Sequence, residues 1–182
     1  MYEKIYFDPE EVLELLHELS DGLQARGTKA ELFLVGDSAM SLCYSPRRLT
    51  RDLDAIFEPK TVVYEVAMDI AIARGIPESW LNDGVKGFLR GNDQDARVLF
   101  ETEWLTVRVA SPRYMFLLKA FASRLGADED DLKVLWPLTG FKDVPEALEA
   151  LEKAYPHVEL PPRAKFLLQE LFSPPNPRFP AP

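Results

Sequence analysis

Residues 32–57 read LFLVGDSAMSLCYSPRRLTRDLDAIF, and the fold turns on how this stretch divides. Glu31 to Val35 is a short apolar run after a break, which predicts a buried strand. Gly36 interrupts it, Asp37 to Tyr44 continue as a short helix, and Pro46 stops that helix. Arg47 to Arg51 form a basic loop, and Leu53 to Phe57 read as a second strand paired with the first. Side chains alternate along a strand, so Asp52 and Asp54 point the same way. Two carboxylates side by side among apolar residues repel each other and lose hydration, and a divalent cation relieves both costs. Gly36 sits where a strand hands over to a helix, a place where main-chain amides face a phosphate. A phosphate cradle followed by a carboxylate pair predicts chemistry on a nucleotide.

Upstream, Asp8-Pro9-Glu10-Glu11 is a helix start, with Asp8 as cap, Pro9 in the first turn and Glu11 completing a capping box. Val12, Leu15, Leu16 and Leu19 form its apolar stripe, and Gly27 ends it. Downstream, Pro59 opens a helix through Ala73 that Gly75 closes. Residues 76–84 read as a short helical turn and a loop. Arg97 to Phe100 and Leu105 to Ala110 read as two strands. Helices are predicted over Pro112 to Leu125, Asp128 to Leu138, Asp143 to Ala154 and Arg163 to Phe172. The first of these is apolar nearly all round and so is buried. The expected organisation is an α/β core over 1–110, a helical part packed on it over 111–172, and a proline-rich tail over 173–182.

The chain has 182 residues, of which 47% are hydrophobic, enough for one compact core with an appendage. No run is long and apolar enough to span a bilayer, and MYEKIYFDPEE lacks the pattern of a signal peptide, so a cytoplasmic protein without a membrane partner is expected. One cysteine excludes an internal disulfide, and Cys43 reads as a small core residue. The net charge of -9 argues against tight non-specific nucleic-acid binding but leaves room for a local basic patch. His17 and His157 lack metal-ligand spacing, and Trp80, Trp104 and Trp136 read as core or interface residues rather than base-stacking platforms.

Four segments follow in order: GDSAM at 36–40, RLTRDLD at 48–54, LLKAFASR at 117–124 and DEDD at 128–131. Together they resemble the nucleotidyltransferase fold, specifically the AbiEii/MenT-type toxin branch and its relatives. The pattern of that branch is G-G/S-x-A, R-x-T-x-D-x-D, M-K-x-x-A-x-R and D-x-x-D. The resemblance implies an α/β (α+β) fold with a small mixed sheet packed by helices and a helical C-terminal half. It also implies transfer of a nucleoside monophosphate from a nucleoside triphosphate, with Mg2+ or Mn2+, to an RNA acceptor. The 3′ end of tRNA is the first choice, and a cognate antitoxin protein is an implied partner.

The roles divide accordingly. Asp52 and Asp54 would hold the metal, and Gly36, Ser38, Arg48 and Thr50 would bind nucleotide. Lys119, the only charge between Tyr114 and Ser123, would bind triphosphate oxygens, and Asp128 and Asp131, three apart on one helical face, would complete the catalytic set. Each has a structural alternative. Asp52 and Asp54 would be surface carboxylates balanced by Arg48 and Arg51, and Ser38 a helix cap. Arg48 would be an ion-pair partner, Lys119 a lysine snorkelling to water, and Asp128 and Asp131 charges favoured by a helix dipole. Two departures stand out. Asp37 follows Gly36 where the branch has glycine or serine, and TVRVA at 106–110 offers Arg108 where a third carboxylate is usual. Glu101 and Glu103 are the possible substitutes. Two other readings therefore stay open: a catalytically inactive nucleotide-binding or protein-interaction module, and nucleotidylation of a protein hydroxyl.

Overall fold

The computed structural model describes residues 6–45, 49–87, 91–123 and 128–173. They fall into two units, the first formed by 6–87 with 93–111 and the second by 91–92 with 112–173. The fold is mixed α/β, as the sequence predicts: a five-stranded mixed sheet with helices, and a helical C-terminal half. Among the described residues no helix is long and apolar enough to cross a membrane.

The first unit opens with α1 (Pro9–Ala25). Its capping box forms as read: the Glu11 N–H donates to Asp8 Oδ1 at 2.9 Å and the Asp8 N–H donates to Glu11 Oε2 at 2.8 Å. β1 (Ala30–Leu34) leads into α2 (Gly36–Ala39), which runs on as a π-helical turn over Met40–Tyr44. β2 (Leu53–Glu58) follows, then α3 (Lys60–Arg74), closed by Gly75 in the left-handed conformation at φ 65°. A 3-10 turn at Glu78–Trp80 delivers the chain to β3 (Leu81–Asn82), and β4 (Arg97–Glu101) and β5 (Leu105–Val109) complete the sheet. The strand order is β3-β2-β1-β5-β4. β1 is antiparallel to β2 and parallel to β5, while β3 runs parallel to β2.

Strand alternation sorts this sheet into two faces. Leu32, Leu34, Ala55, Phe57, Val107 and Val109 are buried, on the face covered by α1 and α3. α1 crosses α3 so closely at Gly22 that a Cβ built there would overlap Val66 Cγ1. Trp80 is fully buried and its Nε1–H donates to the Ala67 carbonyl at 2.9 Å, which pins the 3-10 turn to α3. Residues 76–84, read as a helical turn and a loop, thus contain a strand as well. Two residues carry no readable periodicity, so only the partner strand reveals it.

The second unit consists of α4 (Pro112–Ala122), α5 (Glu129–Leu135), α6 (Val144–Ala154) and α7 (Pro162–Phe172). α4 contacts each of the other three. Its fully buried Phe116 lies 5.5 Å, 5.7 Å and 5.9 Å from the rings of Trp136, Phe141 and Phe172. The helix predicted to reach Leu125 ends at Ala122, because Ser123 turns to φ 38°. The helix predicted over 128–138 tightens to a 3-10 turn at Trp136–Leu138, where Pro137 supplies no N–H. The tail beyond Ser173 lies outside the described residues, as do Arg48 and Arg124.

Candidate functional site

The carboxylate pair sits where β2 begins. Leu53, Ala55 and Phe57 enter the core, so Asp52 and Asp54 occupy the opposite face with Ile56, half-buried. Gly36 lies directly behind Asp54. Its φ is +65°, and a Cβ built on it would stand 2.6 Å from Asp54 Oδ2. Glycine is thus required twice, for the backbone conformation and for the approach of the carboxylate. The Val35 N–H donates to the Asp54 carbonyl at 3.0 Å and holds the two segments in register.

Asp52 is held by two further residues. Thr50 Oγ1 donates to its carbonyl at 2.8 Å, and Asn82 Nδ2 donates to its Oδ2 at 3.2 Å. Thr50 is itself fixed by reciprocal main-chain bonds with Phe7, at 2.7 Å and 2.9 Å. Burial raises the pKa of Asp52 above the ordinary carboxylate value, and the charge of Asp37 adds to the rise. The Asn82 hydrogen bond and the charge of Arg51 oppose it.

The two residues read as hydroxyl ligands for a nucleotide have internal partners. Ser38 is fully buried and its Oγ donates to the Val35 carbonyl at 3.0 Å, closing the turn. Thr50 is 1% exposed, with its hydroxyl on the Asp52 main chain. Arg48 falls outside the described residues. The substitutes for a third carboxylate do not join the pair. Glu101 lies level with Thr106, Glu31 and Glu58 across the sheet, and Glu58 is about 13 Å along β2 from Asp54 at the usual rise per residue. Glu103 is exposed, 4.0 Å from Lys29 Nζ, and Arg108 is exposed on the outer face.

In the second unit, Lys119 of α4 meets Asp128 and Asp131 at the start of α5, a grouping that the spacing of the two aspartates alone does not predict. Lys119 Nζ lies 3.2 Å from Asp128 Oδ1 and 2.7 Å from Asp131 Oδ2, and none of the three residues is more than 3% exposed. The lysine does not snorkel to water. Asp128 stands at the N-cap position of α5 without capping it, its Oδ1 being taken by the ammonium. Low dielectric strengthens this attraction while making each charge costly to bury, so the three groups depend on one another.

Among the described residues no group of three or more His, Cys, Asp or Glu side chains is placed to hold a metal ion. Asp52 and Asp54 offer a two-carboxylate donor set. Hard oxygens in that number suit Mg2+ or Mn2+, which commonly take one or two carboxylates and complete their shell with water and substrate phosphates. The missing Cβ at Gly36 keeps Asp54 Oδ2 clear of a steric block. Asp52 and Asp54 are the residues that would hold such an ion.

The strand period places Asp52 and Asp54 on one face, as observed, whereas the contact of Asn82 with Asp52 has no signal in the sequence. Asn82-Asp83-Gly84 has the composition of a turn, and nothing in its order signals that the first residue pairs with β2. No family model matches the chain, and neither a curated protein nor a solved structure matches it.

Proposed function

We propose that the chain is a metal-dependent nucleotidyltransferase that moves a nucleoside monophosphate from a nucleoside triphosphate to RNA, with tRNA as the first acceptor to test, and that it serves as the toxin of a toxin–antitoxin pair. The observation that carries this reading is the seating of the Asp54 carboxylate over Gly36, with Asp52 beside it on the same strand face. The order of the four sequence segments supports the same reading. In the reaction, the acceptor hydroxyl gives its proton to water and forms a P–O bond to the α-phosphorus as the bond from that phosphorus to the bridging oxygen breaks and pyrophosphate leaves. A cation bound at the pair would offset the charge of the triphosphate. Asp52 and Asp54 would hold that cation, with Asp52 kept in place by Thr50 and Asn82.

The influence of Asp37 on Asp52 favours a second reading, a catalytically inactive module, because added negative charge opposes a triphosphate. Incubation with each of the four α-labelled nucleoside triphosphates and Mg2+ or Mn2+ separates the two. Label entering tRNA with wild type, and lost in Asp52→Ala and Asp54→Ala, supports the transferase. Label entering a co-expressed protein instead moves the acceptor to a protein hydroxyl. Absence of label from RNA and protein with every nucleotide overturns the transferase reading.

A further inference from the structure

We infer that Asn82 is a positioning residue for the acidic pair, an amide wedge that fixes the rotamer of Asp52 so that its free oxygen and the Asp54 carboxylate serve one cation; this inference rests on the metal-dependent reading above. Asn82 is half-buried at the end of β3, level with Asp54 in the parallel register with β2. The Gly84 N–H donates to its Oδ1 at 3.0 Å, and its Nδ2 donates to Asp52 Oδ2 at 3.2 Å. These partners fix the amide's orientation chemically. A main-chain N–H only donates and a carboxylate only accepts, so oxygen must face Gly84 and nitrogen must face Asp52.

No other side chain of this length satisfies both neighbours. Aspartate at 82 would set a second acceptor against Asp52, and leucine would leave the N–H and the carboxylate without these partners. The wedge is itself braced. Asp83, next in the chain, takes an ion pair from Lys60 and a 2.7 Å hydrogen bond from the Tyr64 hydroxyl, both on α3. Trp80, two residues earlier, is anchored to Ala67 on the same helix. The turn that presents Asn82 is therefore tied to α3 on both sides. An Asp52 held by one oxygen keeps a defined direction for the other, and partners behind a metal ligand typically set affinity by about tenfold to a hundredfold.

The test measures Mn2+ binding to the full chain by electron paramagnetic resonance, without nucleotide or turnover. Asn82→Ala removes both hydrogen bonds. Asn82→Ser keeps a short oxygen for the Gly84 N–H, since serine makes the same local turn, but cannot reach Asp52. Gly22→Ala is the control for lost stability away from the site. The expected result is an Mn2+ Kd raised about tenfold or more in both Asn82 variants. Far-UV circular dichroism of Asn82→Ser should match wild type, and Gly22→Ala should retain the wild-type Kd. Wild-type affinity in Asn82→Ser would show that the residue only shapes its turn, and would overturn the inference while leaving the functional reading intact. If wild type binds no Mn2+ that Asp52→Ala abolishes, the metal-dependent reading fails and the role of Asn82 fails with it.

Discussion

Gly36 carries two constraints at one residue, and each has a measurable consequence. An L-residue held in the left-handed region costs ~1–2 kcal/mol, and here its Cβ would also press on Asp54 Oδ2. Gly36→Ala is expected to lose at least that much stability in urea unfolding and to weaken Mn2+ binding. Asp52 gives a prediction of opposite sign. Its pKa is raised in the folded state, so the folded chain holds that proton more tightly than the unfolded chain. The contribution of that proton to stability is full below the unfolded carboxyl value and is lost as pH rises through the raised one. Asp52→Asn, measured in chelator, should therefore melt above wild type at neutral pH, and the excess should vanish below about pH 4. The adjacency of Asp52 and Asp54 was legible because a strand has period two. The directions of the Ser38 and Thr50 hydroxyls were not, because composition and spacing do not say whether a hydroxyl turns to solvent or to its own backbone.

Helix starts announced by caps and prolines are legible within a residue or two. Asp8-Pro9 and Ser111-Pro112 mark their helix starts through chemistry confined to a few neighbouring positions. β3 was illegible for the converse reason: two residues become a strand only by pairing with β2. The crossing of α1 and α3 was equally hidden, since Gly22 inside a helix looks like a propensity fault until Val66 is seen against it. Gly22→Ala gains up to about 1 kcal/mol of helix propensity but meets a buried, β-branched neighbour, and overpacking of that kind costs ~1–3 kcal/mol. The expected net effect is destabilisation in chemical denaturation, partly relieved in Gly22→Ala/Val66→Ala relative to the sum of the single variants. Tyr44 ties the π-helical turn to the end of β5, its hydroxyl donating to the Ala110 carbonyl at 2.6 Å. Burial chiefly raises its pKa, to about 12, with Arg97 opposing. The folded state thus favours the neutral phenol, and this contribution is lost as pH climbs from the ordinary tyrosine value through about 12. One phenol should ionise near the top of an ultraviolet titration, and Tyr44→Phe should remove that step at a cost of about 1 kcal/mol.

Across the whole molecule, each unit has an interior of its own kind. The first sets Trp80 and Phe57 among mainly aliphatic side chains, built between one sheet face and two helices, while the second gathers aromatic rings around Phe116 and holds a buried lysine with two aspartates. Removing one partner of a buried ion pair costs ~3–5 kcal/mol. Lys119→Ala should therefore strip amide protection from residues 112–122 and 129–135 in native-state hydrogen exchange, with the amides of 30–34 retaining theirs. Loss of protection in the strands first would contradict that division. The sheet order also sets a timetable for synthesis. β1 is the central strand and the first to leave the ribosome, yet one of its two flanks is β5, the last strand made. Leu34 must wait for Val109, and until then the nascent chain carries a bare hydrogen-bonding edge that invites a chaperone or a neighbouring polypeptide.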